Sequence, residues 1–172
     1  MRFLRLGLAA LLLLLVACKS DDATTTSTPD GPKATTTTAD RVDRAAVDGL
    51  IDRIGAATKV VLKAESGDVS GRQLSDAAAQ LIGITDEQKD PAKRPAGVPP
   101  QQMDDLVASL GATGTAAANL ARAACPPGIS TPRCTDLYLA LNQAQTSLIN
   151  AVQALDQYDT RAPGDVQNIL YG

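Results

Sequence analysis

From Asp40 onward, apolar residues return every three or four positions. Val47, Leu50, Ile51, Ile54, Val61 and Leu62 make one stripe, which predicts an amphipathic helix. Asp40 and Asp43 lie at its start and Lys59 and Lys63 at its end, an order that complements the helix dipole. Gly67 supplies the stop. A second helix is predicted from Gly71 to Ile84, with Leu74, Ala77, Ala78, Leu81 and Ile82 inward. Residues 85–98 keep no sustained period and read as a polar crossover between bundle helices. One short helical turn is expected there at Thr85-Asp86-Glu87-Gln88, where Thr and Gln fit a capping box.

A third helix is predicted from Pro99-Pro100 to about Ala124, with Met103, Leu106, Val107, Leu110, Ala117, Leu120 and Ala124 on one face. Its middle, Gly111 to Ala118, holds only small residues. Each Gly there costs about 1 kcal/mol against Ala, so either a closely packed neighbour compensates or the helix kinks. The fourth helix opens on Thr131 as cap and Pro132 in the first turn and is predicted to run to about Tyr158. Leu137, Leu141, Ala144, Leu148, Val152 and Leu155 form its main stripe, while Leu139 and Ile149 widen the apolar arc. That breadth predicts a central position. After Arg161-Ala162-Pro163-Gly164, Asp165 is expected to cap a short turn carrying Val166, Ile169 and Leu170. No alternating strand pattern competes. The expected fold is all-α: a single bundle of about four helices with a short C-terminal helical turn, over residues 40–172.

The chain ahead of this domain has a different character. Arg2 and Arg5 precede an unbroken apolar run from Leu6 to Ala17, followed by Cys18. As a helix those residues would rise about 18 Å, short of a bilayer core of roughly 30 Å. A basic start, a short apolar core and small residues before the end describe an export signal. Leu15-Val16-Ala17-Cys18 resembles the lipobox of bacterial lipoproteins. The resemblance implies that residues 1–17 are a signal peptide, that Cys18 becomes the lipidated first residue, and that the membrane is a partner through this covalent lipid. It implies an extracytoplasmic address, and covers only the signal and Cys18. Lys19 stands where an aspartate favours inner-membrane retention in enteric lipoproteins. Two or three acyl chains anchor stably where one does not. Residues 18–39, with two threonine runs and almost no apolar content, are expected to be the lipidated start and a disordered Thr-rich tether. Its span as a flexible coil is on the order of 25 Å, and its threonines are candidate sugar acceptors.

Of the 16 Lys and Arg, removal of the signal takes Arg2 and Arg5, leaving 14 against 19 Asp and Glu, a net charge of −5. An acidic chain of this kind lacks the basic face that nucleic-acid binding requires. Beyond the signal the aromatic residues are Tyr138, Tyr158 and Tyr171. The core must therefore be built from Leu, Ile, Val and Ala.

Cys125 and Cys134 bracket the turn-rich link between the third and fourth helices. In an exported chain such a pair predicts a disulfide. A redox role is the rival, since Cys134 lies near a helix N-terminus beside Arg133. The spacing is not the two-residue redox motif. Zinc is disfavoured because the chain has no His and two thiolates cannot complete four ligands.

Without His, the usual activation of a Ser or Cys nucleophile is excluded. Adjacent Asp104 and Asp105 diverge by about 100° on a helix and suit the positive end of its dipole. Asp48 and Asp52, beside Arg44 and Arg53, read as a solvated surface. No cofactor beyond the lipid is expected. One row stands out: Asn142, Thr146, Asn150, Gln153 and Gln157 offer uncharged hydrogen-bonding groups along the fourth helix. This row is a candidate binding face for an envelope protein or glycan, and a polar solvent-facing surface is its alternative. The function expected is a nonenzymatic binding or scaffold domain displayed in the cell envelope. A protective lipoprotein that blocks an external factor is the second reading, and an envelope enzyme using Asp carboxylates the third. The oligomeric state is left open.

Overall fold

Asp43 fixes where the first helix begins: its carboxylate accepts the Ala46 amide at 3.1 Å, while its own amide donates to Ala96 O at 2.9 Å. The computed structural model describes residues 41–64, 66–126, 131–162 and 164–171. Cys18, the Thr-rich tether and Asp40 lie outside them. The helices are α1 (Arg44–Leu62), α2 (Gly71–Gln88), α3 (Pro100–Ala123), α4 (Pro132–Gln153) and α5 (Asp165–Tyr171), with a short 3-10 turn at Pro91–Lys93. No strand occurs among the described residues. The described residues thus form an all-α bundle of four main helices and a short C-terminal one.

Neighbours in sequence are neighbours in space: α1 packs on α2, α2 on α3 and α3 on α4, while α5 returns to α1. The α2–α3 pair is antiparallel, because Gly71 faces Ala121, Gly114 faces Ala78 and Ile82, and Gly111 faces Thr85. The small-residue stretch of α3 is therefore a close-packing surface. A Cβ at Gly114 would lie 2.8 Å from the Ile82 side chain and 3.2 Å from Ala78 O. The helix runs through it without a break. Leu81, Met103, Leu106, Leu110, Leu141, Leu148 and Leu155 are fully buried in one continuous core.

Several boundaries and faces differ from the sequence reading, each for a local reason. The expected capping box at Thr85–Gln88 is absent, and those residues are the last turn of α2. Thr85 is buried and donates to Leu81 O at 2.8 Å, so its hydroxyl serves its own helix. The capping box is at the other end, where Ser70 accepts the Gln73 amide and Gln73 accepts the Ser70 amide. The connection that follows is not a crossover but a link between antiparallel neighbours. Arg94 holds it, donating to Gln88 O at 2.8 Å and pairing with Asp104 of α3 at 2.8 Å.

The inward faces shift by a position or two. On α2, Ile82 is half-buried while Ile84, Thr85 and Gln88 are buried; on α3, Val107 is half-buried and Thr113 replaces it inside. Ala124 is exposed because it leaves the helix in the left-handed region, with φ 48°.

α4 is not central. Its backbone packs on α3 and lightly on α5, and Leu139 stays 55% exposed, so the wide apolar arc is not fully used. α4 also ends at Gln153, short of Tyr158, and continues as a series of turns. Within its buried stripe, Gln145 takes the place expected for Ala144. Its Nε2 donates to Val61 O of α1 at 3.2 Å, bridging helices whose backbones stand further apart. Asp165 is the first residue of α5.

Candidate functional site

Cys125 and Cys134 are joined, with an S–S distance of 2.10 Å and Cα atoms 5.6 Å apart. Thr131 caps α4 by accepting the Cys134 amide at 3.3 Å, which places Cys134 in the first turn facing the end of α3. Tyr138, one turn on, donates its hydroxyl to Cys125 O at 3.2 Å. Around this end of the bundle lies a mainly apolar cleft of about 250 Å³, bounded by Ala64, Leu74, Leu120, Ala121, Cys125 and Tyr138.

At the opposite end, the turn after α4 is clasped onto α1. Asp48 accepts both the amide and the hydroxyl of Thr160. Arg161 donates to Asp48 O at 3.2 Å and to Asp52 at 2.8 Å, and Arg44 donates to Asp159 O. Asp48 and Asp52 are therefore fastened to the 159–161 turn and are not a free solvated surface. Arg53, expected beside them, instead pairs bidentately with Glu87 of α2. Burial pushes Asp48 up, but the Thr160 hydrogen bonds and the charges of Arg161 and Arg44 outweigh it and hold the carboxyl below its ordinary value. Asp159 is different. Its side chain is fully buried and lies near Asp156 and Asp48, so burial first and those charges next hold its pKa up. Its Oδ2 has no hydrogen bond and faces the Arg161 Nη1 only at 3.8 Å.

The five-residue polar row on α4 changes in exposure along its length. Asn142, Thr146 and Asn150 are exposed on the helix, whereas Gln153 is half-buried at its last position. Thr146 donates to Asn142 O at 2.9 Å, and Gln157, beyond the helix end, donates to Ala154 O at 3.2 Å. Of the five, Asn150 lines a groove. This groove, of about 250 Å³, runs between α3 and α4, with Gln102, Asp105 and Ser109 on one side and Ser147 and Asn150 on the other. Ala151 and Ala154 form part of its lining without filling it.

The α3 side was missed from sequence, although Gln102, Asp105 and Ser109 recur at helical spacing on one face. Their pairing with Asn150 depends on the register of α3 against α4. Asp104 and Asp105 sit past the first turn of α3. Asp104 binds Arg94, and Asp105 accepts from Gln101 at 3.0 Å, so neither acts as a dipole cap.

Among the described residues, no group of three or more His, Cys, Asp or Glu side chains is arranged to hold a metal ion. Nor is any described helix long and apolar enough to cross a membrane. Comparison with family models, curated proteins and solved structures gave no match.

Proposed function

We propose that this chain is a lipid-anchored extracytoplasmic protein whose helical bundle serves the cell envelope as a nonenzymatic binding or scaffold module. The observation that carries this reading is Leu15-Val16-Ala17-Cys18 at the end of a short apolar run behind Arg2 and Arg5. A cross-link between α3 and α4 supports it, since disulfides persist in oxidising compartments. The start of α1 lies at the clasp end of the bundle, opposite the disulfide.

Fatty-acid labelling of the full chain in an exporting bacterial host tests the anchor. Wild type should incorporate label, lose residues 1–17 and sediment with membranes, and Cys18→Ala should do none of these. A wild-type product with its leader attached, or freely secreted without acyl groups, would overturn the assignment.

A further inference from the structure

The groove between α3 and α4 carries more information than a polar helix surface would. Asn150 and Gln102 reach it from opposite walls, and neither side chain makes a hydrogen bond among the described residues. Gln102 Oε1 is in fact shielded from solvent with no partner. An acceptor in that state loses its water without replacement, and an incoming N–H, met by a small rotation of the amide, would restore the bond. Asp105 uses one carboxylate oxygen for Gln101. Its charge has no Lys or Arg among the lining residues to answer it.

Length narrows the ligand further. From Gln102 to Ser109 the α3 wall rises about 10 Å, the span of about three residues of extended peptide. Its apolar lining is two alanines, and no aromatic ring lines the groove for a sugar face to stack on. Side-chain amides on both walls offer a donor and an acceptor each, matching the alternating groups of a peptide backbone.

We infer that the α3–α4 groove binds a short extended peptide bearing a primary amine. The backbone pairs with Gln102 and Asn150, and the ammonium group sits against Asp105. This rests on the reading of the bundle as a binding module and is independent of the lipid anchor. A ligand of this size is expected to bind with a dissociation constant on the order of a millimolar.

Saturation-transfer NMR on the full chain as isolated from an exporting host, in dodecyl maltoside micelles, tests it, with acetyl-Ala-Ala-Lys-Ala-Ala-amide as the probe. A norleucine version of the same peptide and chitotriose serve as comparisons. Saturable transfer to the lysine peptide is expected, weakened about tenfold by Asn150→Ala, whose exposed helical position leaves folding intact. Asp105→Asn should erase the preference for lysine over norleucine. No saturable transfer to either peptide, transfer unaffected by Asn150→Ala, or transfer to chitotriose alone would overturn the proposal. Absence of saturable peptide transfer, with capture of envelope proteins by wild type and Asn150→Ala alike, would remove the groove yet leave the binding-module reading standing.

Discussion

Gly55 of α1 lies directly beneath Ile169 of α5: a Cβ at position 55 would stand 2.3 Å from Ile169 Cγ2 and 3.1 Å from Ile169 O. The second distance matters more, because a side chain can rotate but a carbonyl moves only with its helix. In a helix interior Ala is otherwise better than Gly by about 1 kcal/mol. Here the overlap should outweigh that gain. Gly55→Ala is expected to lower stability by about 1–3 kcal/mol. Gly83→Ala, with nothing within 4 Å of the new atom, should raise it by about 0.5–1 kcal/mol. Urea denaturation of the two variants checks both signs.

Gln145 is a polar residue in an otherwise apolar stripe, 4% exposed, with its amide on Val61 O. That carbonyl also accepts the Ala64 amide at 3.1 Å, so losing Gln145 would not leave it unpaired. Gln145→Leu should therefore stay within about 1 kcal/mol of wild type. Gln145→Ala, which opens a void between α1 and α4, should cost about 2–3 kcal/mol. If Leu were as damaging as Ala in equilibrium unfolding, the hydrogen bond and not the packing would be what matters.

The helices were legible from sequence because their apolar residues repeat with the helix period: the starts of α2 and α4 fall where Gly71 and Pro132 placed them. What could not be read was set by contacts between elements. Whether Gly111 to Ala118 kinked or packed depended on Ala78 and Ile82 of another helix. The outward placement of Leu139, the capture of Arg161 by Asp48 and Asp52, and the meeting of Asn150 with Gln102 all depend on register between segments far apart in sequence. Gln145 was passed over because a polar letter hides a buried position. The Cys125–Cys134 pair is legible from its spacing, since both cysteines bracket the turn between two helices.

That cross-link closes a loop with a sequence separation of 9. On the chain-entropy account a ring of this size stabilises by about 2.7 kcal/mol. Cys125→Ser/Cys134→Ser, or reduction of the oxidised protein, should lower the unfolding free energy by that amount while helical circular dichroism is retained. Intact mass before and after alkylation must show no free thiol among the two in unreduced material. Two free thiols would refute the bond.

Asp159 and Asp48 should respond to pH in opposite directions. The folded chain holds Asp159 above its ordinary 3.8, so it binds this proton more tightly than the unfolded chain does. Its contribution to stability is then fully present below 3.8 and is lost as pH rises through the folded value. Asp159→Asn removes the ionisation and leaves Oδ1 to accept the Arg161 amide, a bond of 3.2 Å in the parent. This variant should melt above wild type near neutral pH, and the gap should close in acid. Asp48 is held below 3.8, so its contribution is present above that value and is lost as pH falls through the folded one. Asp48→Asn cannot accept both Thr160 donors and should lose about 1 kcal/mol at neutral pH, converging on wild type in acid. Thermal melts of the three proteins across the acidic range measure both trends. Asp159→Asn melting below wild type at neutral pH would mean that the buried carboxylate is held charged by Arg161.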